Sequence, residues 1–233
     1  MKKSLFLYFS FLLIAGMGLL YGKQLQGANL RVWEIENLIF LLLGIPVLWL
    51  LPAAGIPQFL DANVPVSKRI YWPMLVGLGF GLLDFWIIEY VLPHPAHSSL
   101  PPYTQPFPYS LFLYFSGAME IEVFYRLIPI TLFLFIFNYF NKGKNMNAAF
   151  LVIAVLTSQR EPLEQWPDGP GWFVVYALAS GFMMNFIQAL FFKKAGFIAS
   201  LSLRCGHYLV WHILNGIIIL YFILNRYNFI PLP

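Results

Sequence analysis

Residues 109–140 read YSLFLYFSGAMEIEVFYRLIPITLFLFIFNYF, an apolar run whose charged residues are Glu120, Glu122 and Arg126. A helix needs about 20 apolar residues to cross about 30 Å of hydrocarbon. This stretch exceeds that length, so it reads as a membrane helix that carries charge within its apolar run. Working outward, further runs of the same kind lie at 4–22, 36–54, 70–92, 147–159, 171–192 and 196–223. The pattern predicts an all-α fold, a polytopic transmembrane helix bundle of about seven spans, in one integral membrane domain over residues 1–233.

Composition supports this. Of 233 residues, 60% are apolar, 19% aromatic and 10% charged, and mean hydropathy is +0.71. Soluble domains carry about 25% charged residues. Such numbers exclude a soluble enzyme, a disordered tail and a nucleic-acid-binding module; the expected partner is the lipid bilayer, with no nucleic acid. The net charge of +4 comes from Lys and Arg in short loops, where they orient a chain in the membrane. With the N-terminus inside, Lys2, Lys3, Lys68, Arg69, Lys142, Lys144, Lys193 and Lys194 fall on the inner side. Lys23, Arg31, Arg160 and Arg226 fall outside, so eight against four favours a cytoplasmic N-terminus. The expected location is the plasma membrane of a prokaryote. The first run follows Lys2 and Lys3 like a signal peptide. No Ala-x-Ala site ends it and six more runs follow, so it is expected to be retained. Cys205 is the only cysteine, which leaves neither an intrachain disulfide nor a cysteine metal framework.

Three local features qualify the pattern. The run 147–159 spans about 19 Å as a helix, and Ser158, Gln159, Arg160, Glu161, Pro162 and Glu164 crowd its end. Polar backbone at membrane depth survives only inside protein or beside water, so this segment is expected to stop part-way and line a wet cavity. The loop 93–108 holds six prolines and no basic residue and should be extended and irregular; His94 and His97 in it are expected to be solvated. Gly77 and Gly81, four apart, mark a close helix contact.

Charges within spans cost about 2.5–3.5 kcal/mol each at the helix centre and therefore tend to be functional. Measured from each span's midpoint, Glu122, His212 and Asp84 lie about 4 Å outward, His207 about 4 Å and Arg126 about 2 Å inward, and Arg204 about 8 Å inward. Separate spans thus place their charges in one slab. Arg204, His207, Tyr208, Trp211, His212 and Asn215 share an arc of about 140° on the last helix. Glu122 and Arg126, four apart, share a face, whereas Glu120 points about 160° away from Glu122 and needs its own partner. The simplest arrangement sets Glu122 and Arg126 against the histidine face of the last span. A carboxylate in a low-dielectric pocket suits a general base acting on water, and imidazole or Asn side chains can stabilise a developing oxyanion. His207 and His212 sit five apart, about 140° round the helix, so they do not chelate side by side. No metal and no cofactor are expected.

At these residues the chain resembles the CPBP family, the type II CAAX prenyl endopeptidases and Abi-like membrane proteases. The family motif Glu-Glu-x-x-x-Arg is approached by Ser116–Arg126, SGAMEIEVFYR, with Glu122 and Arg126 in place and Ile121 at the first glutamate. The family's Phe-x-x-x-His is not found between the fourth and sixth runs, where Ala154–Glu161 offers Gln159. For His-x-x-x-Asn, His207 is followed by Trp211, and His212 has Asn215 three residues on. The resemblance covers about 109–217. It implies an intramembrane endopeptidase acting on a membrane-associated peptide or protein. Glu122 (or Glu120) would activate water, His207 and His212 orient it, Asn215 stabilise the oxyanion and Arg126 hold the carboxylate. The alternative is a catalytically inactive relative serving as a membrane binding, immunity or assembly factor. A proton-coupled carrier ranks third, since no internal repeat is visible.

Overall fold

The long apolar runs fold as helices, because a chain in hydrocarbon must satisfy its own backbone hydrogen bonds. The computed structural model describes residues 1–25, 30–92, 97 and 99–224, and among them there is no strand. The helices are α1 (Lys2–Gly22), α2 (Ile35–Leu41), α3 (Gly44–Val47), α4 (Ser67–Val91), α5 (Tyr109–Asn141), α6 (Met146–Glu164), α7 (Gly171–Ala195) and α8 (Phe197–Phe222). Five of them (α1, α4, α5, α7 and α8) are long and apolar enough to cross a membrane. Among the described residues the fold is all-helical, and its five long apolar helices are compatible with a multi-pass membrane protein.

Two expected spans take other forms. The run 36–54 becomes the short helices α2 and α3 followed by turns through Gly55; Gly44 and Pro46 interrupt a longer helix there. The run 147–159 extends to Glu164, with Pro162 inside the helix. Its polar end is nonetheless embedded, as Ser158 and Glu161 are buried.

Outward faces are apolar at helical spacing. On α1, Phe6, Phe9, Leu13, Met17 and Leu20 are exposed while Tyr8, Leu12, Ala15 and Leu19 are buried, one stripe for lipid and one for protein. At one end of the bundle Phe59 stacks on Phe197 with centroids 4.8 Å apart, and the Tyr8 hydroxyl donates to the Leu41 carbonyl at 2.6 Å.

Long helices here are not uniform. Wide π-turns occupy Ser67–Tyr71 of α4 and Val123–Leu127 of α5, each just before a proline, Pro73 and Pro129. Proline lacks the amide of the regular ladder and its ring crowds the carbonyl one turn back. A wider turn accommodates both defects. In α8 the π-turn Leu209–Leu214 carries Trp211 and His212.

The closest helix contact joins α4 to α8. A Cβ on Gly77 would fall on the Leu203 carbonyl oxygen, and one on Gly81 would lie 2.8 Å from that of His207. Gly206 answers from α8, where a Cβ would sit 2.5 Å from the Met74 carbonyl oxygen. The expected glycine contact is therefore present, and it draws Asp84 of α4 against α8. Replacing Gly77 by Ala should destabilise the protein by about 1–3 kcal/mol through overpacking against backbone. Gly79→Ala, whose Cβ meets nothing within 4 Å, should be neutral or slightly stabilising. Thermal melting of the two variants in nanodiscs checks the contrast.

Candidate functional site

Between α4, α5, α6, α7 and α8 lies a cavity of about 620 Å³. Each helix contributes residues at its own periodicity: Phe80, Asp84 and Ile88 from α4; Tyr114, Gly117, Glu120 and Ile121 from α5; Arg204, His207, Tyr208, Trp211 and His212 from α8. The end of α6 adds Glu161 and Gln165, and α7 adds Tyr176 and Asn185. The short polar helix thus does line a cavity. Exposed Arg31 and Gln165 stand at its rim.

On α5, Glu120 and Ile121 face this cavity, whereas Glu122 is turned into the protein with 0% exposure. Two residues along a helix turn a side chain by about 160°, and that rotation separates a carboxylate at the cavity from a sealed one. Glu122 Oε1 accepts from Arg126 Nη1 at 3.2 Å and from Gln188 Nε2 at 2.8 Å. Arg204 Nε approaches the same oxygen at 3.5 Å, and Oε2 accepts from the Ser200 hydroxyl. Arg126, also buried, donates to Asn185 Oδ1 and to Gln188 Oε1, the latter at 2.9 Å.

Arg204 ties this network to α6. Its two terminal nitrogens donate to both oxygens of Glu161, each at 2.6 Å, the bidentate fork that makes Arg–carboxylate pairs strong. It also donates to Asn185 and Gln188, each at 3.0 Å. Two carboxylates and two guanidiniums therefore neutralise one another, with Glu122 and Arg126 sealed and Glu161 and Arg204 at the cavity wall. Glu122 and Arg126 meet the Arg204–Ser200 end of α8 and the Asn185–Gln188 face of α7, not the histidines as the sequence suggested. Imidazoles were already engaged by groups nearer in helical phase.

The histidines have other partners. His207 Nε2 lies 2.7 Å from Asp84 Oδ2, and the Tyr176 hydroxyl donates to Asp84 Oδ1 at 2.5 Å. Nε2–H donates to the carboxylate, and His207 Nδ1 is buried and without a partner among the described residues. His212 Nδ1 donates to the Tyr103 carbonyl at 2.5 Å, and its ring stacks on Tyr114 with centroids 4.2 Å apart. Tyr114 donates to the same carbonyl at 2.8 Å, and the Tyr103 ring stacks on Trp211 at 5.0 Å. Burial, with Glu89 nearby, pushes the Tyr103 phenol up to about 12, so it stays protonated.

Of the sequence candidates, Glu120, His207 and His212 line the cavity; Glu122, Arg126 and Asn215 do not. Asn215 is buried with both carboxamide atoms lacking partners among the described residues. Glu120 has the separate partner it required, Asn37 Nδ2 at 3.2 Å. Gln159 is exposed on α6, and Glu161 is the residue of that segment that reaches the site. His97 is half-buried with Nε2 3.4 Å from Glu89 Oε2, where solvation had been expected; His94 lies outside the described residues. Sequence reasoning missed Tyr176, Asn185, Gln188 and Ser200. Asn185 and Gln188, three apart in an apolar helix, carry the usual signal of polar contacts between membrane helices. Among the described residues, no three His, Cys, Asp or Glu side chains group as metal ligands.

No protein-family model, curated protein or solved structure matches the chain.

Removing Glu122 leaves two buried guanidiniums short of a counter-charge. Glu122→Ala should therefore cost about 3–5 kcal/mol of stability. Replacing the exposed Asp168 by Ala should cost less than about 0.5 kcal/mol. Unfolding in mixed micelles followed by tryptophan fluorescence distinguishes the two.

Proposed function

We propose that this is a CPBP-like membrane protein whose motif residues hold the bundle together, and whose cavity binds a membrane-associated peptide without cleaving it. One observation carries this: Glu122, the motif carboxylate, is sealed from the cavity, and Ile121 occupies the cavity-facing position beside it. A general base must reach the proton it removes. Glu122 Oε1 and Oε2 are instead occupied by Arg126, Gln188, Arg204 and Ser200. The neighbouring position from α6 holds Glu161 in a salt bridge with Arg204, so these charges serve each other.

The chain is taken to sit in the plasma membrane of a prokaryote with its N-terminus cytoplasmic, as the eight-to-four bias of Lys and Arg supports. On that assignment α6 and the α2–α3 segment fill out a seven-segment bundle, α6 as a helix that ends against the cavity.

A second reading rests on the Asp84–His207 pair. A carboxylate holding one imidazole nitrogen leaves the other free to take a proton, the arrangement of a hydrolytic base. In that case hydrolysis would depend on His207 and Asp84, with Glu120 as the other cavity carboxylate.

A peptidase assay with apolar peptides on the protein in nanodiscs separates the two. Expected is no cleavage above empty nanodiscs, together with saturable, peptide-dependent change in tryptophan emission from Trp33 and Trp211 in the cavity wall. Gly117 lines the cavity and a Cβ there meets nothing within 4 Å. Gly117→Phe should fill the space and abolish the emission change while leaving the melting temperature unaltered. Cleavage by the wild type that Glu120→Gln or His207→Ala removes would overturn the proposal in favour of the hydrolase.

A further inference from the structure

Part of the cavity's polar lining is already committed. Tyr176 donates to Asp84 and Tyr114 to the Tyr103 carbonyl, and His212 Nδ1 is spent on that carbonyl. Asp84 and Glu120 keep acceptor capacity toward the cavity. Asp84 has a side chain 26% exposed, so lone pairs beyond its two hydrogen bonds face open space. Glu120 is half-buried, with Asn37 Nδ2 as its hydrogen-bond donor among the described residues.

Charge tilts the same way. Three carboxylates (Asp84, Glu120 and Glu161) line the cavity against two guanidiniums, Arg31 and Arg204. The Glu161–Arg204 pair cancels internally, and Arg31 stands at the exposed rim. Among the carboxylates and guanidiniums, one negative charge is left over. The walls are aromatic: Phe80, Tyr114, Phe173, Tyr208 and Trp211. Ring faces attract cations, most strongly where water is displaced.

We infer that the cavity recognises an N–H-bearing organic cation on an apolar body, such as the primary ammonium of a peptide or amine, held by Asp84 and Glu120 against aromatic walls. This rests on the binding function proposed above and names the group that is bound. An ammonium supplies three donors and no acceptor, which suits the two carboxylates that keep acceptor capacity toward the cavity.

The test is a tryptophan-fluorescence titration of the full chain in nanodiscs of zwitterionic lipid. Three probes share a phenylalkyl body: phenethylammonium, 2-phenylethanol and 3-phenylpropionate. Phenethylammonium should bind at least about tenfold more tightly than the alcohol. Glu120→Gln and Asp84→Asn should each remove most of that preference. Equal affinity for ammonium and alcohol, blocked for both by Gly117→Phe, would overturn cation recognition yet leave a binding cavity. Preference for the carboxylate would overturn it as well and point to Arg31 at the rim. Absence of binding by every probe, alongside peptide cleavage that His207→Ala abolishes, would overturn both the cation and the binding function.

Discussion

Burying a charge in a medium with little water is tolerable only when an opposite charge and enough hydrogen bonds come with it. The centre of this bundle is organised by that requirement. Glu122 and Arg126 on α5, Arg204 on α8 and Glu161 on α6 form a neutral set of four, each buried. Asn185 and Gln188 of α7 fill the gaps between them, with Gln188 accepting from both guanidiniums and donating to Glu122. Four helices therefore share one electrostatic knot. None of them can rotate far without stranding a charge, and the relative phase of α5 and α8 that shapes the cavity follows from it.

Two features of the backbone then decide what the cavity contains. The glycines at 77, 81 and 206 let α4 approach α8 to backbone contact, which brings Asp84 within hydrogen-bond distance of His207. On the other side, helical phase divides neighbouring residues of α5 between two environments: Glu120 and Ile121 outward to the cavity, Glu122 inward to the knot. The resemblance to the CPBP family is carried largely by residues of the knot, Glu122 and Arg126. The residues that meet the cavity contents, Glu120, Ile121, Asp84 and Trp211, are where this chain departs from that motif pattern or where the motif is silent.

The fold was readable from the sequence wherever one run of residues carried the whole signal. Length and apolarity marked α1, α4, α5, α7 and α8, and the spacing of Gly77 and Gly81 marked a helix contact. Helical phase also put Arg204, His207, Tyr208, Trp211, His212 and Asn215 on one face, and all but Asn215 line the cavity. Pairing between helices was less legible. Nothing local distinguishes a Glu122 that meets histidines from one that meets Arg204 and Gln188, because that choice is set by the rotation of α7 and α8 about their axes. For the same reason Tyr176, an ordinary aromatic in an apolar helix, gave no sign that it would donate to Asp84. The segment 36–54 misled for a different reason: its hydropathy is that of a span, but Gly44 and Pro46 break the helix into α2 and α3.

The separation between knot and cavity bears on what evolution could change here. A carboxylate that both neutralises a buried guanidinium and activates water must satisfy two opposed demands, since every donor that stabilises its charge weakens it as a base. Glu122 meets only the first demand, with donors from Arg126, Gln188 and Ser200. Two of the three cavity carboxylates are free of that duty: Asp84 answers to Tyr176 and His207, and Glu120 to Asn37. Substitutions at these two can thus alter the cavity without unpairing the buried charges. A fold held by an internally neutral centre can keep its shape while its cavity chemistry changes.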